Sequence, residues 1–298
     1  MNHRKLVALI CVPTILLSCS CRSVGDGAGP EPVTAVLGAF DKEVTLLEDQ
    51  LVDSRERMIE DIRFVTGRLN GRKVVIVWTG IGKVNAAMTT TLLIEHFKPS
   101  EVIFTGIAGG VNPELGPGDI VIAKMTAHHD MGTLWPDALY YKGVKNRLSG
   151  WENPVFFEAE ESLLKAAEQA GEEIKLEPFN TITGKRVPKV VKGVVVTGDV
   201  FVASAKKSDE LRERLGADAV EMEGAAVAQL CYQREIPCLV IRSLSDKADE
   251  SAMQDKQMFY IMAVRNSASL VGRIVGRLGS AQPVEESVSE GVGTDQGL

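Results

Sequence analysis

The sequence predicts a single three-layer α/β/α domain around a mixed, largely parallel twisted sheet. Two observations support this fold class. Short apolar runs rich in β-branched residues alternate along the chain with longer segments of helical periodicity. Several of these runs are apolar almost throughout, which is typical of strands covered by helices on both faces. Alternation of this kind predicts a largely parallel sheet.

Seven apolar runs are predicted to be strands, and five segments between them to be helices. The strands are 33–37, 73–78, 101–106, 119–123, 193–198, 218–222 and 237–245. The helices are 82–97, 158–170, 208–215, 224–235 and 259–278. Ligands of such sheets bind beyond the carboxyl ends of the strands, so the residues that follow each strand are the candidates for function.

The N-terminus, residues 1–21, has the features of an export leader. A basic start (1–5) precedes an apolar run (6–17) that is shorter than the roughly 20 residues a membrane span needs. Residues 16–19 ("LLSC") resemble a bacterial lipobox, which predicts lipid attachment at Cys19 or Cys21 and a periplasmic or cell-surface location. A plain signal or short anchor is the alternative, and the protein is cytoplasmic if the leader does not function.

Composition divides the rest of the chain into three parts. Residues 22–31 are polar and glycine-rich, as in a flexible tether, and 279–298 have the composition of a disordered tail. The folded domain is therefore predicted over 32–278. A net charge of −7 with interspersed acids and bases, and only 5% aromatic residues, argue against a nucleic-acid partner.

The cysteines do not indicate a metal site. Three of the five lie in the leader, and the sequence contains no CxxC or His/Cys cluster, so a structural zinc is not expected. Cys231 and Cys238 fall in apolar segments and are interpreted as buried free thiols. A disulfide between them is the alternative in an oxidising compartment.

Three acidic residues follow predicted strands. Glu43 lies in "GAFDKEV", Glu223 in "VEMEG" and Asp246 in "RSLSDKAD". Such residues are helix starts or caps in many proteins. Three convergent carboxyls without a ligand set for a metal instead indicate acid–base chemistry, in which burial and repulsion move their pKa values apart.

Two other stretches have several interpretations. Residues 79–87 contain only a partial dinucleotide fingerprint, and the glycines at 106–110 let the backbone approach a ligand. Adjacent His128 and His129 point to opposite faces of a strand, which favours a structural or site-lining role over metal binding.

Six segments together resemble a known family. They are "GAFDKEVTLLE", "GIGKVNAAMTTTLLIEHFKP", "FTGIAGGVNPELGPGDIVIA", "TGDVFVAS", "AVEMEGAAVAQLCY" and "RSLSDKAD". In this order, through residues 33–275, they resemble the 5′-methylthioadenosine/S-adenosylhomocysteine nucleosidases of the nucleoside phosphorylase superfamily. The resemblance implies a nucleoside phosphorylase-like fold, hydrolysis of an N-glycosidic bond without cofactor or metal, and release of adenine and a 5-thio-ribose.

The resemblance also implies roles for individual residues. Asp246 would protonate adenine N7, Glu43 would activate water, Glu223 would hold the ribose hydroxyls, and Arg242 would help to place the water and the acids. Apart from the resemblance, the apolar surroundings of Glu221 require a partner for its charge, so it is expected to hold Arg242 or a backbone amide. The substrate would be lined by Met222, Glu221, Phe201, Val202, Ser245, Ile107, Ala108, Gly109, Phe40 and Phe259. A homodimer is implied, with part of the thio-substituent pocket supplied by the partner.

The sequence departs from the family pattern in the lining. Ile107 stands where serine is common and Phe40 where methionine is common, and Phe259 is the nearest candidate for an aromatic lid. These departures affect the expected substrate preference more than the reaction.

Three alternatives remain open. A phosphorylase would need cations where the "GAFDKEV" loop offers mainly acids, which repel phosphate. A nucleosidase for futalosine-type intermediates could use the same acids. A lipid-anchored nucleoside- or polymer-binding protein would not require an acid at the leaving base.

Overall fold

The computed structural model describes residues 31–181 and 184–280. The predicted leader, the tether except for Glu31, and the tail beyond 280 lie outside the described residues. None of the helices within these ranges is both long enough and apolar enough to cross a membrane.

The strands follow one another along the chain from Thr34 to Asp246. They are β1 (Thr34–Gly38), β2 (Val52–Ile59), β3 (Ile62–Leu69), β4 (Arg72–Trp78), β5 (Glu101–Phe104), β6 (Ile107–Gly110), β7 (Ile120–His128), β8 (Gly132–Leu134), β9 (Leu139–Tyr141), β10 (Phe156–Glu158), β11 (Phe179–Thr181), β12 (Gly184–Arg186), β13 (Val190–Thr197), β14 (Ala219–Glu221) and β15 (Cys238–Asp246).

The helices alternate with these strands over most of the chain. They are α1 (Asp41–Glu48), α2 (Lys83–Phe97), α3 (Glu161–Glu173), α4 (Ala205–Leu215), α5 (Gly224–Gln233) and α6 (Ala252–Ser280). Helix α6 continues two residues beyond the predicted domain end at 278.

Eleven of the described strands form one mixed sheet in the order β10-β7-β13-β14-β6-β15-β5-β1-β4-β3-β2. The pairs β5–β1, β1–β4, β15–β5, β15–β6, β13–β14 and β13–β7 are parallel. The β2–β3–β4 meander and β10 are antiparallel additions. Strand β7 also pairs antiparallel with β15, which curls this half of the sheet. The predicted fold class is confirmed.

Helices cover both faces of the sheet. On one face, α2 and α5 bury Leu93 and Val227 against it. On the other face, α1, α3 and α6 bury Leu47, Leu163 and Leu270. The near-continuous apolar strands are explained by these two cores, because each successive side chain meets a helix layer.

The seven predicted strands are present, with boundaries shifted by a few residues. The β2–β3 hairpin was not predicted, because all of β2 except Ile59 is exposed and its sequence "VDSRERMI" lacks apolar alternation. Helix α6 was predicted to begin at 259 but begins at Ala252. In its first turns only Ala252 is buried and the two methionines are exposed, so they carry no apolar period.

Candidate active site

A cavity lies at the carboxyl ends of β14 and β15, beside β6 and the turn after β1. Its lining is formed by Phe40, Ile81, Ile107, Ala108, Gly109, Phe201, Val220, Glu221, Met222, Glu223, Ser245, Asp246 and Lys256. Most of the residues implied by the family resemblance are therefore brought together. Glu43 is buried beside this cavity, where its side chain bonds to the Ile107 amide.

Glu43 is positioned by main-chain donors. It occupies the third position of α1, and its carboxylate accepts the N–H groups of Ala39 at 2.6 Å, Phe40 at 3.1 Å and Ile107 at 3.0 Å. Burial raises the pKa of Glu43, while the positive charge of Arg242 and these hydrogen bonds oppose the rise. The carboxylate thus joins the first helix to the loop after β5 and faces the site with little access to water.

Asp246 ends β15 and is almost fully buried. Its carboxylate accepts the Ser245 hydroxyl at 2.7 Å and the Ala248 N–H at 2.9 Å. Burial raises the pKa of Asp246, partly offset by those donors and by the charge of Lys256. A carboxyl in such a site holds its proton more readily than one in water.

Gly109 makes room for this acid. A Cβ atom at this position would lie 2.7 Å from Oδ1 of Asp246 and 2.9 Å from the Cβ of Ala248. Contacts this short do not occur, so a side chain at 109 would displace the carboxyl group. The glycine loop predicted to approach a ligand is therefore first of all packed against the acid.

Glu223 lies at the start of α5 and accepts the Gly82 N–H at 2.8 Å. Gly82 has φ 91°, a left-handed conformation that glycine adopts without strain and that aims its N–H at the carboxylate. Burial, together with the negative charge of Glu221, raises the pKa of Glu223 to about 8. Before substrate binds, this carboxyl therefore holds its proton more readily than a carboxyl in water.

Glu221 and Arg242 form a buried ion pair behind the cavity. Nη2 of Arg242 donates to Oε2 of Glu221 at 2.7 Å, and its Nε donates to the same oxygen at 3.2 Å. Glu221 also accepts the Thr197 hydroxyl and the N–H groups of Glu223 and Gly224. Glu221 was predicted to hold Arg242 or a backbone amide, and in the structure it contacts both. Because β14 ends at Glu221, the following turn sends Glu223 in a different direction.

The guanidinium of Arg242 has no pair of N–H groups left to bind a ligand in this arrangement. Its Nη1 donates to the carbonyls of Phe104 at 3.1 Å and Ile241 at 3.0 Å, and its guanidinium lies 4.2 Å from the centroid of the Phe104 ring. Its positive charge influences the pKa values of Glu43 and Glu223 without an ion pair to either. It therefore acts on the site through Glu221 and through its field.

Some of the predicted apolar residues line the cavity, and others are buried beside it. Met222 and Phe201 line the cavity, while Val202 is buried beside Phe201. Phe40 meets the ring of Tyr260 edge-on, with centroids 6.2 Å apart. Ile81, Val220 and Lys256 were not predicted as lining residues.

Phe259 is not among the residues that line this cavity. Its ring packs on Phe179, with centroids 5.5 Å apart, at a separate surface cavity. The early start of α6 places Lys256 at the site instead. The sequence signal for this difference would have been the helical spacing of Lys256 and Tyr260, which brings both residues to one face.

The histidine pair lies outside the cavity. His128 contacts Oε1 of Gln229 at 3.0 Å, and His129 packs beneath Gly198. Burial lowers the pKa of both imidazoles. In the described part of the chain no three His, Cys, Asp or Glu side chains form a group suited to a metal ion. Cys231 and Cys238 are free and buried.

Chemically, the site combines an acid with two further carboxyls, all three of them buried. Asp246 can donate a proton to a leaving group, while Glu43 can polarise a nucleophile and Glu223 can hold hydroxyls. The buried Arg242 compensates part of the negative charge. This arrangement suits cleavage of a bond whose leaving group needs a proton and whose electrophile becomes positive.

The chain is similar to known proteins over most of its length. Residues 33–276 match the phosphorylase superfamily. The 5′-methylthioadenosine/S-adenosylhomocysteine nucleosidase of Geobacillus sp. (strain WCH70) is 38% identical over 245 residues, which cover 82% of this chain and 98% of the relative. That of Bacillus velezensis is 39% identical over 246 residues, with the same coverage of both chains.

Solved structures give the same result. The corresponding nucleosidase from Neisseria meningitidis, in complex with methylthio-immucillin-A, has a TM-score of 0.70 and 35% identity over 82% of this chain and 99% of its own. The futalosine hydrolase of Helicobacter pylori has a TM-score of 0.69 and 31% identity over 83% of this chain and 98% of its own.

Proposed function

The chain belongs to the phosphorylase superfamily, among the 5′-methylthioadenosine/S-adenosylhomocysteine nucleosidases, and from this premise we propose how its residues carry out the reaction. The protein is an N-glycosyl hydrolase. It cleaves 5′-methylthioadenosine and S-adenosylhomocysteine to adenine and the 5-thio-ribose. The proposal rests above all on the buried Asp246 at the end of β15.

Asp246 is the general acid. Adenine leaves slowly as an anion, so protonation at N7 makes it a neutral leaving group. The raised pKa of Asp246 supports this role, because a carboxyl that keeps its proton at higher pH is available as a donor. Ser245 and the Ala248 amide fix the orientation of the carboxyl and stabilise the anion that remains after transfer.

Glu43 activates the attacking water. Its three main-chain hydrogen bonds hold both carboxylate oxygens in place: Oε2 accepts from Ala39 and Phe40, while Oε1 accepts only from Ile107 and retains a lone pair for a water molecule. Glu223 binds the ribose hydroxyls. Hydroxyl donors and a developing oxocarbenium charge both favour its anionic form, so substrate binding lowers the pKa that is raised in the free protein.

Hydrolysis is favoured over phosphorolysis by the charges at the nucleophile. Two carboxyls, Glu43 and Glu223, surround that position, and the guanidinium of Arg242 is already bound to Glu221 and to carbonyls. The test is adenine release by the purified protein with and without phosphate. Equal rates and free thio-ribose are expected, whereas phosphate-dependent formation of a sugar 1-phosphate would contradict hydrolysis.

A futalosine-type nucleoside is the second candidate substrate. The Helicobacter pylori futalosine hydrolase is about as similar to this chain as several of the nucleosidase structures. Comparison of kcat/KM for methylthioadenosine, S-adenosylhomocysteine and futalosine decides between them.

We further propose that the protein is a homodimer in which the partner completes the substituent pocket. Ile81, Val84 and Met88 are exposed. Val84 and Met88 lie four residues apart on one side of the start of α2, and Ile81 lies in the turn just before this helix. An ion pair from Lys83 to Asp130 connects this side to the segment that bears exposed Leu134. Sedimentation should give a dimer that Val84→Lys dissociates.

We also propose that the protein is exported and lipid-anchored through Cys19 or Cys21. The support is the leader sequence and its lipobox-like end. A labelled fatty acid supplied to cells should be incorporated into the chain and be lost in the Cys19→Ala or the Cys21→Ala variant. Unlabelled protein in the cytoplasm would contradict export.

A further inference from the structure

A lysine lines the active-site cavity, although the reaction proposed for the inner part of the cavity uses only carboxyl groups. Lys256 lies in the second turn of α6 and is half-buried. Its ammonium lies 5.3 Å from the centroid of the Phe40 ring and 5.2 Å from that of Phe201. The lysine therefore contacts two aromatic rings from separate segments of the chain, both of which line the cavity.

Lys256 has no carboxylate within ion-pair distance among the described residues, although its charge acts on Asp246 from farther away. No ion pair formed between the described residues includes it. Contacts with two ring faces stabilise a cation but leave its charge in place. Desolvation beside these rings makes it a stronger partner for an anion than a lysine in water.

The position of Lys256 places it near the 5′ substituent of the substrate. The buried carboxyls Asp246 and Glu223 are assigned to the base and the ribose, so these groups occupy the inner end of the cavity. Phe201 is 39% exposed and Lys256 is half-buried, so they lie at the outer end. A substituent on the 5′ carbon of the ribose leaves the inner end and passes the ammonium.

We propose that Lys256 is a specificity-determining residue that selects adenine nucleosides with a carboxylate on the 5′ substituent. The ammonium pairs with that carboxylate at the rim formed by Phe40 and Phe201. This inference rests on the proposed function, since it takes the base and ribose positions from it. Methylthioadenosine has no such group, whereas S-adenosylhomocysteine carries a carboxylate together with an ammonium.

Two matched substrates isolate the charge. One is 5′-S-(2-carboxyethyl)-5′-thioadenosine and the other is its carboxamide, which has the same length and shape. For the wild type, kcat/KM for the acid should exceed that for the amide on the order of fivefold, as for a partly exposed ion pair. The ratio should fall toward one at 0.5 M NaCl because salt screens such a pair.

Three variants test the residue. Lys256→Met should bring the ratio to about one, and Lys256→Arg should keep it because the charge is retained. Lys42→Met is the control: Lys42 is an exposed lysine 6.0 Å from the centroid of the Tyr260 ring and does not line the cavity. It should leave the ratio unchanged, which excludes a general effect of positive charge.

Dissociation constants for both nucleosides, measured calorimetrically with Asp246→Asn, provide a readout independent of turnover. A Lys256→Met variant that weakens acid and amide equally would overturn the inference, since Lys256 would then only support the rings or Asp246. If the wild type releases no adenine from methylthioadenosine or S-adenosylhomocysteine, the proposed function fails. The ratio of dissociation constants still decides the role of Lys256.

Discussion

The buried pair of Glu221 and Arg242 offers the most direct test of how the site is built. Glu221→Gln removes the anion and leaves the guanidinium of Arg242, which is only 1% exposed, without its counter-charge. Breaking a buried pair from one side costs 3–5 kcal/mol in general, and glutamine keeps one acceptor, so a loss of about 3 kcal/mol is expected.

In a domain of this size that loss lowers the melting temperature by about 6–12 °C. Differential scanning calorimetry measures it directly. Turnover measured well below the transition should fall on the order of tenfold or more. The reason is that Glu221 also accepts the Glu223 and Gly224 N–H groups that set the start of α5.

A second substitution distinguishes charge from packing. Glu221→Gln combined with Arg242→Met should regain part of the lost stability, because no unpaired charge remains, but should not regain activity. The control is Glu95→Gln, which breaks the exposed pair with Arg234 and should shift the melting temperature by less than about 2 °C. The reasoning is refuted if Glu221→Gln melts within about 2 °C of the wild type.

Three further predictions concern the carboxyls. Asp246→Asn should lower kcat for adenine release about 10³-fold and leave the dissociation constant for the nucleoside nearly unchanged, because general acid catalysis contributes 10²–10⁴-fold. Gly109→Ala should lower kcat at least about tenfold, since its Cβ would lie 2.7 Å from Oδ1 of Asp246. Gly272→Ala, whose Cβ would be 3.7 Å from its nearest neighbour, should leave kcat unchanged. The pKa of Glu223 is about 8 in the folded state and 4.5 in the unfolded state. Between these pH values the folded protein holds a proton that the unfolded chain has lost, so the free energy of unfolding falls as pH rises. Glu223→Gln should therefore flatten melting temperature against pH over that range.

Each of these predictions has a contradicting result. A wild-type kcat in the Asp246→Asn variant would contradict the role of Asp246 as the general acid. Equal effects of Gly109→Ala and Gly272→Ala on kcat would show that the close contact of Gly109 with Asp246 does not matter. A Glu223→Gln profile parallel to the wild type would place the titration on another group.

The acidic residues could be predicted from the sequence because each follows an apolar strand. The parallel strands β1 and β15 bring Glu43 and Asp246 to one edge of the sheet. Strand β14 runs antiparallel to β6, so the position of Glu223 depends on the turn after β14 and was not given by the parallel pattern. The role of Glu221 followed from its apolar surroundings, which require a partner for a buried charge.

The rim could not be predicted in the same way. Residues 252–258 mix polar side chains with two exposed methionines, so no apolar period marks the start of α6. Contacts with tertiary neighbours, including Phe40 and Phe201, determine which residue of this helix faces the cavity. The lid candidate Phe259 was chosen by residue type, whereas the geometry depends on helical phase.

Main-chain N–H groups hold all three catalytic carboxyls. The reaction can therefore be kept during evolution while the substrate preference changes. An amide N–H is present whatever side chain the residue carries, proline excepted. Ile107 still donates to Glu43, although the family commonly has serine there. Mutation can therefore replace rim side chains such as Phe40 and Lys256 over evolutionary time while the reaction persists. Enzymes that share such a site can therefore differ in substrate preference while they cleave the same bond by the same mechanism.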